Sequence, residues 1–265
     1  DGYHFFQKRP TFIALSEELS SEELRRELAK QEVKAQILAE ADTDPDPSKQ
    51  FDSIGAFLLS MLDKMYSMGD TPDYEPGPQQ LVTNMAEAAG VDPVSFAYDL
   101  LNKDEGRSFL MLPFFNYVGG TQDAIYEMLK HPATVSGLSD GGAHVRMICD
   151  ASIPTYVLSH WARDRHRGPK LTIEEAVKVQ TLDTAKVMGF DDRGQLAVGK
   201  KADINIIDME NLALGFPHAE DDLPAGGRRL LQTATGYVAT IVNGVVTRRH
   251  GADTGARPGR LVRSR

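Results

Sequence analysis

The amino-acid sequence predicts an α/β fold that changes to all-β structure towards its C-terminal end. Three observations carry this reading. Two apolar segments, residues 108–117 and 134–138, suit buried strands and flank a short helical pattern, which is the order of a βαβ unit. Upstream, Phe51, Ile54, Phe57, Leu58, Met61, Leu62 and Met65 recur at helical spacing. Downstream, Asn243-Gly244 separates two β-rich runs, 237–242 and 245–249, and that dipeptide suits a two-residue type I′ hairpin turn.

The elements follow in order. Pro10 interrupts aromatic and apolar clusters in residues 1–20. Ser20 and Glu23 have capping-box spacing, which predicts a helix running to about Ala41 before the Asp/Pro segment 42–47. The stripe at 50–68 predicts a core-facing helix, and the Gly, Pro and Asp content of 69–80 a loop. Residues 81–90 and 93–101 read as short helices, the second opened by Pro93. Pro113 marks the end of the first strand, Thr121 can cap the helix carrying Ile125 and Leu129, and His131-Pro132 stops it. Pro154 opens a helix through His160 and Trp161. The basic run 163–170 reads as a helix C-terminus with favourable cations, with phosphate binding as the rival. Thr172 and Glu175 cap a helical segment that Gly189 stops. A turn and a strand follow over 194–208, and 209–236 reads mostly as loop. The change of character places a boundary near Arg193.

Composition narrows the function. The 265 residues are 41% hydrophobic and 25% charged, as in an ordinary globular protein. A net charge of −9 argues against a nucleic-acid or anionic-membrane surface, and the arginines at 257, 260, 263 and 265 read as a solvated terminus. Cys149 is the single cysteine, so no internal disulfide can form, which fits a reducing compartment. No stretch approaches the length of a membrane span, and the start, Asp1-Gly2-Tyr3-His4, has neither a basic nor an apolar leader region. A cytoplasmic location is therefore expected.

The segment 134–144 holds the chemistry. Asp140 follows the second predicted strand, where α/β folds build active sites, and Gly141 and Gly142 clear side chains from beside it. Taken alone, Asp-Gly and Gly-Gly are ordinary turn dipeptides.

A longer pattern gives the loop a context. Residues 171–208, with Gly194-x-Leu196-x-x-Gly199-x-x-Ala202-Asp203, resemble the C-terminal signature of the amidohydrolase superfamily. The run Gly137 to His144 (Gly-Leu-Ser-Asp-Gly-Gly-Ala-His), His160-Trp161-Ala162-Arg163 and the loop from Asp222 to Gly227 are similar to the N-acyl-D-amino-acid deacylase (D-aminoacylase-like) branch. The resemblance implies the C-terminal portion of a (β/α)8 TIM-like barrel with a helical insertion over 1–193. Part of a small β-sandwich follows over 194–265. It implies metal-dependent hydrolysis of a linear amide, an N-acyl-D-amino acid, by water that a divalent metal, zinc above all, activates. Asp140 is implied to be the catalytic carboxylate and a metal contact. His144 faces substrate or holds the loop, and Asn116 and Tyr117 hold substrate or pack. Cys149 reads as a small buried apolar residue, and Arg228 and Arg229 as surface residues with carboxylate recognition as the rival.

The chain departs from the family pattern. Its histidines stand at 4, 131, 144, 160, 166, 218 and 250, and none forms His-x-His. A full barrel needs about 250 residues before any sandwich is added. The expectation is therefore an enzyme portion, inactive alone, whose metal ligands come mostly from an N-terminal part. The expected partners are a small-molecule amide substrate and either a second copy or that N-terminal part, with no nucleic acid or membrane. A cyclic-amide hydrolase of hydantoinase or dihydroorotase type, or a non-catalytic assembly module, is the alternative.

Overall fold

The structure, a computed structural model, describes residues 4–48, 52–137, 139, 141–142 and 144–263. The chain forms two compact units, Asp1–Thr121 with His218–Arg229, and Gln122–Pro217 with Leu230–Arg265.

The first unit is mostly helical. Pro10 opens a helix rather than interrupting the chain: it sits in the first turn of α1 (Pro10–Glu18), where its missing N–H leaves no bond unmade. The single helix expected from Ser20 to about Ala41 is two, α2 (Ser21–Leu28) and α3 (Gln31–Ala39). A continuous helix would use the Leu28 carbonyl internally. Here that oxygen accepts the Tyr98 hydroxyl at 2.8 Å, and Lys30 turns to extended backbone. The capping box at Ser20 and Glu23 forms as the spacing predicts.

The stripe at 54–65 gives α4 (Ile54–Ser60) and a 3-10 turn, Leu62–Lys64, before the chain extends into β1 (Tyr66–Ser67). Gly90, left-handed at φ 66°, ends α5 (Val82–Ala89), and Asp92 caps α6 (Pro93–Gly106) through the N–H groups of Val94 and Ser95. The ten-residue strand expected over 108–117 contracts to β2 (Leu110–Met111), which pairs antiparallel with β1. Pro113 offers no N–H to a ladder, and Asn116 turns left-handed at φ 61°, so pairing cannot continue. Phe5, Phe6, Leu28, Ile37, Leu62, Met65, Val82, Ala97 and Tyr98 form the buried core.

The second unit opens with α7 (Asp123–Lys130). Gln122 rather than Thr121 precedes its first turn, without a side-chain cap. The strand expected at 134–138 does not form over 134–137, which carry no regular structure, and Val135 is 43% exposed. The parallel βαβ unit is thus replaced by an antiparallel β1–β2 pair in the other unit.

Pro154 lies in the first turn of α8 (Ile153–Tyr156), which runs on as a π-helix, Val157–Asp164. Thr172 and Glu175 form the expected capping box of α9 (Ile173–Gln180). A break at Thr181 (φ −126°, ψ −81°) starts α10 (Leu182–Val187). Val157, Leu158, Trp161, Leu171, Ala176 and Leu212 make this unit's core.

Strands dominate from residue 204. β3 (Ile204–Ile207) and β4 (Ala213–Leu214) come first. The hairpin of β5 (His218–Leu223) and β6 (Gly227–Leu231) and then β7 (Ala234–Thr235) occupy the stretch read as loop. β8 (Tyr237–Val242), β9 (Val245–Arg249) and β10 (Ala252–Asp253) complete an antiparallel sheet of order β10-β9-β8-β3. Asn243 (φ 49°) and Gly244 (φ 80°) make the two-residue turn between β8 and β9 that the dipeptide predicts.

Candidate active site

The segment that carries the candidate carboxylate leaves α7 through a compact turn. The Thr134 N–H donates to the His131 carbonyl at 3.1 Å, and the Thr134 hydroxyl donates to the same oxygen at 2.8 Å. Asp140 itself lies outside the described residues. Its neighbours explain the glycines. A Cβ on Gly141 would stand 3.2 Å from the Ala151 Cβ, and Gly142 has φ 103°, a backbone that other residues reach only under strain. His144 is exposed and left-handed at φ 45°, and its carbonyl accepts the N–H groups of Met147 (2.8 Å) and Ile148 (3.1 Å). The Val145 carbonyl accepts the Leu230 N–H at 2.7 Å, which ties the loop to the end of β6. Cys149 is a half-buried free thiol.

The two other sequence candidates belong to the first unit. Asn116 is exposed in a left-handed turn. Tyr117, beside it, is buried. Its hydroxyl donates to the Pro76 carbonyl at 2.6 Å, and its ring stands edge-on to Tyr66. Around that anchor Phe114, Phe115 and Val118 face solvent at 57%, 82% and 104% exposure, an apolar grouping that the run's hydrophobicity had suggested was core. Phe57 stacks on Phe114, their ring planes 8° apart.

The basic run 163–170 is spent inside its own unit. Arg163 bonds Asp164 and the carbonyls of Met209 and Leu212. Arg165 is fully buried, bonds Asp123 and the Pro169 carbonyl at 2.6 Å each, and lies over the Trp161 ring at 4.6 Å. These contacts leave neither guanidinium directed at a phosphate. The helix-end reading of the run missed this buried cation, because burial of an arginine depends on partners distant in sequence. His160 stacks on Tyr156 at 4.5 Å and stands edge-on to Trp161 at 5.6 Å, as packing requires.

Arg228 and Arg229 meet carboxylates of the chain itself. Each makes a two-pronged pair across the hairpin, Arg228 with Asp221 and Arg229 with Asp222, at 2.5–2.7 Å. Those hydrogen bonds hold both aspartates below the usual carboxylate range and both arginines above theirs. A substrate carboxylate would have to displace these partners.

Among the described residues no three His, Cys, Asp or Glu side chains come together as a group able to hold a metal ion. These residues therefore do not fit the divalent centre that amidohydrolases typically use, and no chemical step is derived through one. No helix among the described residues is long and apolar enough to cross a membrane.

Neither curated proteins nor solved structures give a match to the chain. A family model described as amidohydrolase family matches residues 1–248. That span covers nearly the whole sequence, both units included, and the chain therefore belongs to the amidohydrolase family.

Proposed function

We propose that the protein hydrolyses a linear amide, removing the acyl group of an N-acyl-D-amino acid, and that Asp140 is its catalytic carboxylate. The family match over residues 1–248 carries the reading. The motif Gly-Leu-Ser-Asp-Gly-Gly-Ala-His at 137–144 supports the branch. In this reading 1–193 belong to a barrel portion and 194–265 to a small β domain. His144 and Asn116 contact substrate, and Tyr117 holds the loop beneath Asn116. The zinc ligands lie largely outside the described residues, and the chain by itself is inactive.

The chemistry balances with one carboxylate. Water adds its oxygen to the acyl carbon, the C–N bond breaks, and the water's proton passes through Asp140 to the leaving amine. Gly141 and Gly142 leave room for the acyl carbon to approach.

The test measures amine release by the full-length gene product, in a cytosol-like buffer with divalent metal supplied. N-acetyl-D-amino acids, their L-isomers and hydantoin serve as substrates. Preferential release from the D-series is expected. Opening of the cyclic amide alone, or hydrolysis of none of the three, would overturn the reading.

A further inference from the structure

The arginines of this protein divide into two groups. Most meet a carboxylate: Arg9 with Asp42, Arg26 with Glu22, Arg107 with Glu105, Arg165 with Asp123, Arg193 with Asp192, and Arg257 with Asp253. Such pairing is expected in a chain with 38 acidic and 29 basic residues. Arg249, Arg260 and Arg263 have no carboxylate partner among the described residues, and all three lie in the last strands and the extended tail. Leu261, between two of them, is 80% exposed. The tail is thus a cationic strip with an apolar centre, on a protein whose net charge is −9.

A second feature has the opposite need. α1 ends on Glu17 and Glu18, both exposed, with no basic residue in the last turn. Carboxylates at a helix C-terminus face the negative end of its dipole, which is unfavourable unless a cation neutralises them. Neither has a cationic partner among the described residues.

We propose that the strip around Arg260, Leu261 and Arg263 docks on the Glu17-Glu18 end of α1 in a second copy of this chain. Charge complementarity selects this occupant. A net negative protein is repelled by anionic lipid or nucleic acid, whereas another copy offers an acidic surface. The reciprocal contact, strip to helix end twice over, closes a two-fold dimer.

Sedimentation velocity tests this at about 0.02 M and about 0.5 M salt, between which exposed ion pairs become screened. A dimer at low salt that dissociates at high salt is expected. The double variant Arg260→Glu/Arg263→Glu should weaken association at least tenfold, with an unchanged melting profile. Adding Glu17→Arg/Glu18→Arg to that variant should restore it. A monomer at both salts, association indifferent to salt or to the variants, or failure of the reversed pair to rescue would overturn the proposal. So would pelleting with phosphatidylserine vesicles in place of self-association.

Discussion

The Tyr117 hydroxyl is bonded at 2.6 Å to the carbonyl of Pro76, 41 residues away in sequence and buried. This bond fixes the loop that presents Asn116. Tyr117→Phe keeps the ring and leaves the Pro76 oxygen without its donor, so stability should fall by about 1 kcal/mol in chemical denaturation. An unchanged KM would mark Tyr117 as the loop's anchor. A raised KM at unchanged stability would instead assign its hydroxyl to substrate.

Arg165 and Gly168 form one packing unit. A Cβ on Gly168 would stand 2.5 Å from both the Arg165 guanidinium and the Asp123 carboxylate. Gly168→Ala should therefore destabilise by about 1–3 kcal/mol through overpacking. Arg165→Met removes two hydrogen bonds and the Trp161 contact, and should cost about 2–4 kcal/mol. Because both act on the same guanidinium, the double variant should cost less than the sum, which a double-mutant cycle measures. Strict additivity would contradict the shared site.

His4 should make the first unit acid-sensitive. Its ring stacks on Phe12 at 4.8 Å, its Nε2 is buried without a partner, and burial pulls its pKa from 6.5 to about 3. The folded state therefore binds fewer protons than the unfolded state between those values. The contribution is fully present above pH 6.5 and is lost progressively as pH falls towards 3. In urea melts from pH 7 to pH 4, His4→Phe should lose less stability than the wild type. Equal slopes would show that His4 is solvated in the native state.

What the sequence made legible was local. The capping boxes at Ser20/Glu23 and Thr172/Glu175, the Asp92-Pro93 helix start, the stops at Gly90 and Gly189 and the Asn243-Gly244 turn are all set by residues within a few positions of one another. Long-range partners decided the rest. The break between α2 and α3 depends on Tyr98, 70 residues from Leu28, and the short β1–β2 pair depends on residues 44 apart, Tyr66 and Met111. The apolar run at 108–117 carried a true hydrophobic signal, but Pro113 and the left-handed Asn116 turned it into an exposed loop. The π-helix at Val157–Asp164 has no sequence signature that distinguishes it from an α-helix of the same composition. Within the candidate site, the need for Gly141 and Gly142 was readable from the motif, whereas the cross-strand capture of Arg228 and Arg229 required the register of the hairpin.

The central claim is that Asp140 moves the proton. Asp140→Asn preserves size and turn preference and removes the carboxylate base. Steady-state kinetics of this variant in the full-length gene product, with metal content measured alongside, test the claim most directly. The account predicts kcat lowered by about 10² to 10⁴, with KM changed much less and folding retained. Turnover close to wild type with the metal still bound would contradict it and leave Asp140 as a turn residue.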